Sequence, residues 1–222
     1  MEFTLITSFF EQKTTMEFLR LGIVYAHLIA CCVAIGMVLT SDFAMIRELI
    51  KGEKTHLQDT RHMESLQKTV SGALAVLWIT GIAIIWVDMS DKGLSYLLNP
   101  KLQAKVAIVM LLTFNGMLLH SLVLPALQKA GSLLKLQFNM RMFALFAGAL
   151  SGVSWFYAAM LGVGRPLAWK YSLVELLAAY PVLIVGGFMM MALLTQWAKN
   201  REESGTATAQ SYIQRNPALA AW

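Results

Sequence analysis

The chain has 222 residues, of which 57% are hydrophobic and only 14% are charged, and its formal net charge is +5. Uninterrupted apolar stretches of roughly 18 or more residues are typical of membrane-spanning helices, and the chain has several. This composition excludes a soluble enzyme, and the positive charge indicates contact with anionic lipid at the surface of a bilayer rather than with nucleic acid.

Five apolar segments follow one another along the chain. They cover residues 21–46, 70–89, 102–127, 141–163 and 171–197. At about 1.5 Å per residue, each can cross a hydrocarbon core of about 30 Å. We therefore expect an all-α, polytopic membrane helix bundle of about five transmembrane helices with a four-helix-bundle-like core. Residues 17–198 would form the bundle, 1–16 an interfacial N-terminal segment with no cleavable signal, and 199–222 a polar tail.

Lysine and arginine are unevenly divided between the two ends of this predicted bundle. Eleven of them lie at the end that contains the first and third connections and the C-terminus, and seven lie at the other end. Because cytoplasmic loops carry the excess of these residues, we expect the N-terminus outside the cell and the C-terminus in the cytoplasm.

A few ionisable residues lie inside the apolar segments. His27 is in the first, Asp88 ends the second, Lys105 begins the third and Glu175 begins the fifth. Ionisable groups in hydrocarbon face a bundle interior, pair or hold a cofactor. We expect these four side chains to converge near the outer face as a ligand site. In the alternative interpretation, Lys105 pairs with Asp88 or Glu175, and His27 only packs between helices.

His120 lies deeper in the third segment. It follows Lys105 by 15 residues, which places the two side chains about 60° apart around a helix and about 22 Å apart along it. The depths of His27 and His120 then differ by roughly 12–15 Å. Since a metal ion needs each nitrogen within about 2 Å, we expect two sites, or one site and one packing histidine, instead of one shared site. The adjacent Cys31 and Cys32 are interpreted as packing residues.

Several short motifs in residues 18–125 are shared with a known family. They are His27 with Gly36 in the first segment, Met63-Glu64 in the first connection, the stretch from Gly81 to Trp86, and Leu102-Gln103-Ala104-Lys105-Val106. These motifs resemble the HemJ group of bacterial membrane proteins, which are associated with protoporphyrinogen oxidation and bind b-type haem. The related CopD-like proteins are associated with copper.

The resemblance implies a haem b-binding membrane redox protein of a bacterial inner (plasma) membrane, which transfers electrons or oxidises a membrane-associated substrate. His27 would be the haem ligand and Lys105 the catalytic partner. Two stretches depart from the group: Ser65 and Leu66 stand where it has paired arginines, and residues 41–44 replace its Pro-Arg-Leu-Phe stretch. The resemblance therefore bears on the haem site more directly than on oxidase activity.

Such a haem would be held without covalent attachment, because the chain has no Cys-x-x-Cys-His motif. Its propionates would meet Lys105, Arg165 and Lys170 near the outer face. Its porphyrin would lie among Val24, Met110, Leu111 and Phe156. His120 would hold a second haem or a metal ion.

Two other functions stay open at this point. One is a CopD-like metal or small-molecule transporter, and the other is an accessory subunit of a larger membrane complex. A homo-oligomer or a membrane redox partner is compatible with each of these functions.

Overall fold

The computed structural model describes the backbone of residues 2–51, 60–167 and 169–215, and the side chains of 14–51, 65–164, 166–167 and 169–205. Within these ranges every regular element is helical. The α-helices are α1 (Glu2–Lys51), α2 (Thr60–Lys92), α3 (Pro100–Leu118), α4 (Leu124–Ala130), α5 (Phe138–Val163), α6 (Leu173–Leu177) and α7 (Ala179–Arg215).

Five helical stretches are long and apolar enough to cross a membrane, which confirms the predicted all-α, multi-pass architecture. They are Thr14–Lys51, Ser65–Lys92, Pro100–Ala130, Phe138–Val163 and Leu173–Gly205. Each overlaps one predicted segment and most extend beyond it, because a helix continues past the hydrocarbon wherever polar residues still favour it. The backbone of α1 passes residue 16 without a break.

Prolines shape two of the spans. The third span joins α3 to α4 through a π-helical turn at Leu119–Val123, just before Pro125. Proline lacks an N–H and its ring clashes with the carbonyl four residues earlier, and a π-turn relieves both problems. In the fifth span, α6 ends before Pro181 and the Tyr157 hydroxyl donates to the Leu176 carbonyl at 2.7 Å.

Helix α5 lies at the centre of the bundle. In its most apolar stretch 44% of the residues are buried, against 11–22% in the other four spans. It packs against α3 and α7 and also touches α1, whereas α1 pairs most extensively with α2. We call the end that contains the connections 93–99 and 164–172 the upper end, and the end where α1 finishes and α5 begins the lower end.

Small and apolar side chains bring the helices together in the middle of the bundle. The central cluster is formed by Ala30, Ala34, Ala73, Leu77, Leu112 and Trp155. Alanine lets helix backbones approach closely, which in lipid replaces the hydrophobic driving force for association. The cluster lies directly below the residues from which the sequence predicts a site.

Candidate functional site

The His27 imidazole is held by the second helix. Its Nδ1 lies 2.7 Å from the Thr80 hydroxyl oxygen, and that hydroxyl lies 2.6 Å from the Val76 carbonyl oxygen. A carbonyl can only accept, so the Thr80 proton is committed to Val76. The Thr80 oxygen therefore accepts from Nδ1–H, and this fixes the tautomer of His27 with a free lone pair on Nε2.

Gly81 of α2 lies beside this ring. A Cβ placed on Gly81 would lie 3.7 Å from Cε1 of His27, which is an ordinary van der Waals distance, so the imidazole lies close to the α2 backbone. The hydrogen bond to Thr80 determines the orientation of the ring. An imidazole that is oriented by a hydrogen bond on one nitrogen and bare on the other has the arrangement found in metal-ligating histidines.

Lys105 extends from α3 towards the same place. It is partly buried, and its ammonium lies within electrostatic reach of the His27 ring and of the Cys31 thiol. Cys31 follows His27 by four residues, which places both on one face of α1. His27, Cys31 and Lys105 thus lie within electrostatic range of one another, and the Cys31 thiol was assigned only to packing from the sequence.

The ammonium of Lys105 has no carboxylate partner among the described side chains. One reason why Lys105 has no such partner nearby in the chain is that no Asp or Glu occurs between Asp91 and Glu175. A cation that is withdrawn from water without a counter-ion is costly, and in a membrane span such a cation indicates a functional site.

The expected convergence of Asp88 on this site is wrong. The Asp88 side chain is buried at the upper end, where its Oδ1 accepts from Arg20 Nε at 2.9 Å and lies 3.3 Å from Lys92 Nζ. The Tyr96 hydroxyl also donates to it. Burial, together with this hydrogen bond, raises the pKa of Tyr96 to about 12. Asp88 therefore joins α1 and α2 instead of neutralising Lys105.

The expected convergence of Glu175 is wrong as well. Its carboxylate is exposed and accepts from the Ser172 backbone N–H at 2.7 Å, while the Ser172 hydroxyl accepts from the Glu175 N–H at 3.3 Å. This reciprocal arrangement is a capping box, which begins α6. The alternative interpretation of Lys105 as a partner of either acid is excluded with it.

His120 lies apart from the first two residues. It sits in the π-helical turn, and its Nε2 lies 3.5 Å from the Ser71 hydroxyl of α2. Ser71 and Thr80 are nine residues apart on the same helix, so the two histidines contact α2 at points separated by about 13 Å. One metal ion cannot bridge them.

The cations expected around propionates are distributed unevenly. The Arg165 side chain lies outside the described residues. Lys170 is exposed at the upper end, with its Nζ 5.6 Å from the centre of the Tyr171 ring. Lys101 donates to the Gly164 carbonyl at 2.8 Å and so links α3 to the connection 164–172. Lys105 lies within electrostatic range of His27.

The apolar wall expected around a porphyrin is not where the sequence analysis put it. Val24, Met110, Leu111 and Phe156 are all exposed on the surface of the bundle, where lipid surrounds them. The buried stripe of α3 consists instead of Ala104, Ile108, Leu112 and Asn115. The helix is therefore rotated so that Met110 and Leu111 point away from its neighbours.

Two residues of interest were missed by the sequence analysis. One is Thr80, whose partnership with His27 depends on the antiparallel register of α1 and α2. The other is Asp42, a carboxylate within the first span. Its Oδ2 would lie 3.4 Å from a Cβ on Gly152 of α5, and no described side chain pairs with it. Its occurrence inside an apolar run was the available signal.

The described residues contain no group of three or more His, Cys, Asp or Glu side chains that could hold a bare metal ion. Haem iron differs because the porphyrin supplies its equatorial ligands and a single histidine suffices as axial ligand. The donor set of His27 and Lys105 therefore fits haem better than it fits a free ion. No protein-family model, curated protein or solved structure matches this chain.

Proposed function

We propose that the protein is a haem b-binding redox protein of the bacterial plasma membrane, with His27 as axial ligand and Lys105 as its cationic partner. The N-terminus would face outwards and the C-terminus the cytoplasm. The observation that supports this most strongly is the fixed tautomer of His27. The hydrogen bonds from Nδ1 to Thr80 and from Thr80 to Val76 leave the lone pair of Nε2 available to a ligand on a half-buried side chain.

Lys105 supports the proposal through its missing counter-ion. The ammonium lies within electrostatic range of His27 and has no carboxylate partner in the described part of the chain, and a propionate would supply the negative charge. The same ammonium could hold or deliver a proton next to a membrane-associated substrate, which is the catalytic role that the resemblance implies. Cys31 lies within reach of this charge and contributes a soft, polarisable wall.

Haem would supply a one-electron couple, with a potential set by burial and axial ligation. The chain contributes orientation through Thr80, charge balance through Lys105, and a low-dielectric surrounding through the central cluster. His120 would serve a second haem or metal ion at its separate depth. The electron partner would be a neighbouring membrane redox protein or a second copy of the chain.

The assignment is tested by titrating haem into purified protein and its histidine variants. His27→Ala should abolish the shift of the Soret band that accompanies ligation, because it removes the only imidazole near Lys105 in the described part of the chain. His120→Ala tests the separate site, whose contact with α2 lies about 13 Å from that of His27, and partial loss of the shift in each variant would indicate two haems. Loss in His120→Ala with an unchanged His27→Ala would refute the assignment of His27.

A transporter is the second candidate, and Asp42 is the observation that favours it. A carboxylate within a span and without a described partner is typical of proton and ion pathways. A transporter of this kind would lose uptake of its substrate by proteoliposomes in Asp42→Asn and would bind no haem. Haem binding that is unchanged in Asp42→Asn would separate the two candidates.

A further inference from the structure

The most unusual cation of the structure is Arg141, in the first turn of α5. Its side chain is only 6% exposed, and its Nε has no hydrogen-bond partner. One Nη donates weakly to the Leu134 carbonyl at 3.4 Å, and the guanidinium lies 5.8 Å from the centre of the Phe138 ring. A guanidinium has five N–H donors, so most of its hydrogen-bonding capacity is unused.

The helix that carries Arg141 begins without a cap. Gln137 at the N-cap position makes no side-chain hydrogen bond, and the first bond of the helix runs from the Arg141 N–H to the Gln137 carbonyl at 2.8 Å. The N–H groups of residues 138–140 have no acceptor in the described part of the chain. Residues 137–139 are exposed, so these N–H groups can be reached from outside.

The guanidinium and these N–H groups lie next to each other. Helical side chains lean towards the N-terminus of their helix, and the contacts of Arg141 with Leu134 and Phe138 show that it does so here. The positive end of the helix dipole therefore coincides with a fixed positive charge. Two further cations are exposed nearby: Lys129 in the last turn of α4 and Lys135 in the connection that leads to α5.

No carboxylate among the described side chains forms an ion pair with Arg141. A buried guanidinium without a counter-ion is unfavourable. Together with the uncapped N–H groups, it defines a site for an anion with several acceptor oxygens. Phosphate suits both the uncapped N–H groups and the guanidinium, because it binds to helix N-termini and accepts bidentate hydrogen bonds from arginine.

We propose that the N-terminus of α5 and the guanidinium of Arg141 bind the phosphate group of an anionic phospholipid headgroup. The site lies at the end of a membrane span, which is the level of the headgroups. The Phe138 ring beside it is 65% exposed, as suits contact with acyl chains. Inorganic phosphate has the same chemistry but gains nothing from this apolar neighbour.

The proposal is tested with the full-length protein in neutral detergent. Dioleoyl phosphatidylglycerol, dioleoyl phosphatidylcholine or inorganic phosphate is added, and melting temperature and lipid retention by native mass spectrometry are measured. We expect phosphatidylglycerol to raise the melting temperature and to stay bound. Arg141→Gln should weaken retention by about tenfold or more, since charged bidentate hydrogen bonds are lost.

Two variants keep the test decisive. Arg141→Lys preserves the charge and so protects folding. Because lysine cannot form bidentate hydrogen bonds to phosphate, lipid retention by this variant should be intermediate. Lys199→Gln removes a half-buried cation of the same end, one that pairs with Glu203 at 3.7 Å, and should behave like the wild type. Wild-type retention in both Arg141 variants would overturn the site. Equal stabilisation by inorganic phosphate or by phosphatidylcholine would overturn the lipid assignment.

Discussion

The Thr80 hydroxyl offers a test of how the His27 site works, because it contacts the imidazole without reaching a ligand itself. Thr80→Val keeps the size and branching of the side chain and removes the oxygen that accepts from Nδ1 at 2.7 Å. Loss of such an outer hydrogen bond lowers the affinity of a histidine site for its metal by about 10–100-fold. This corresponds to roughly 1.4–2.8 kcal/mol of binding free energy.

The helix itself should tolerate the change. The Thr80 hydroxyl donates only to carbonyls of its own helix, at Val76 and Leu77, and a net hydrogen bond contributes only about 1 kcal/mol to folding. Haem titration followed by the Soret band should therefore show weaker binding in a protein with a nearly unchanged melting temperature.

The bundle provides a matched control for this experiment. Thr113 also donates to the carbonyl four residues earlier, at 2.7 Å, and accepts from an aromatic N–H of a neighbouring helix, Trp78 Nε1, at 3.0 Å. Thr113→Val should cost a similar amount of stability and leave haem affinity unchanged. Equal affinities in wild type, Thr80→Val and Thr113→Val would refute the role assigned to Thr80.

Three further predictions concern the charged groups near the upper end. Lys105→Met should lower haem retention or turnover in folded protein, and Lys105→Arg should keep haem but lose turnover. Adding Glu175→Gln to either variant should not restore the lost property, and recovery on adding it would contradict the structure. Asp88→Asn should lower the free energy of unfolding by about 1–3 kcal/mol, because Arg20, which is partly solvated, loses its counter-ion. An unchanged melting temperature would exclude a stabilising ion pair between Arg20 and Asp88. The pKa of Tyr96 rises from 10.0 to about 12 in the folded protein. The protonated Tyr96 hydroxyl should therefore stabilise the fold fully below pH 10, and this stabilisation should disappear between pH 10 and 12. Tyr96→Phe should remove this pH dependence from melting curves.

The fold was predictable from the sequence because the membrane-spanning helices are surrounded by hydrocarbon instead of water. A helix in hydrocarbon must satisfy its backbone internally and present apolar side chains for its whole length, so five apolar runs translate directly into five spans. Depth was predictable for the same reason, since position along a helix follows from residue count. Lys105 and His27 therefore lie at similar depth and within electrostatic range of each other, and His120 lies at another level.

The rotation of each helix was not predictable in this way. In water a helix has a polar side and an apolar side, and this difference reveals its orientation. In lipid both the exposed and the buried sides are apolar, so nothing in the sequence distinguishes Met110 on the surface from Ile108 in the interior. The expected porphyrin wall was wrong for this reason, and Thr80 was missed because helix register was unknown.

Some of the pairings were within reach of the sequence. Ser172 and Glu175 have the spacing of a capping box, and this local signal outweighs any longer-range partner for Glu175. Asp88 and Lys92 have the i,i+4 spacing of a helical ion pair. Giving such local partners priority would have left Lys105 alone, as the structure shows it.

The most direct test of the proposed function is an absorption spectrum of the purified wild-type protein from haem-replete cells, recorded oxidised and after dithionite reduction. We expect a Soret band that sharpens and shifts on reduction, with haem that is extracted by acid acetone because it is not covalently attached. A colourless preparation that also fails to take up added haem would contradict the assignment of His27 and Lys105 as a haem site.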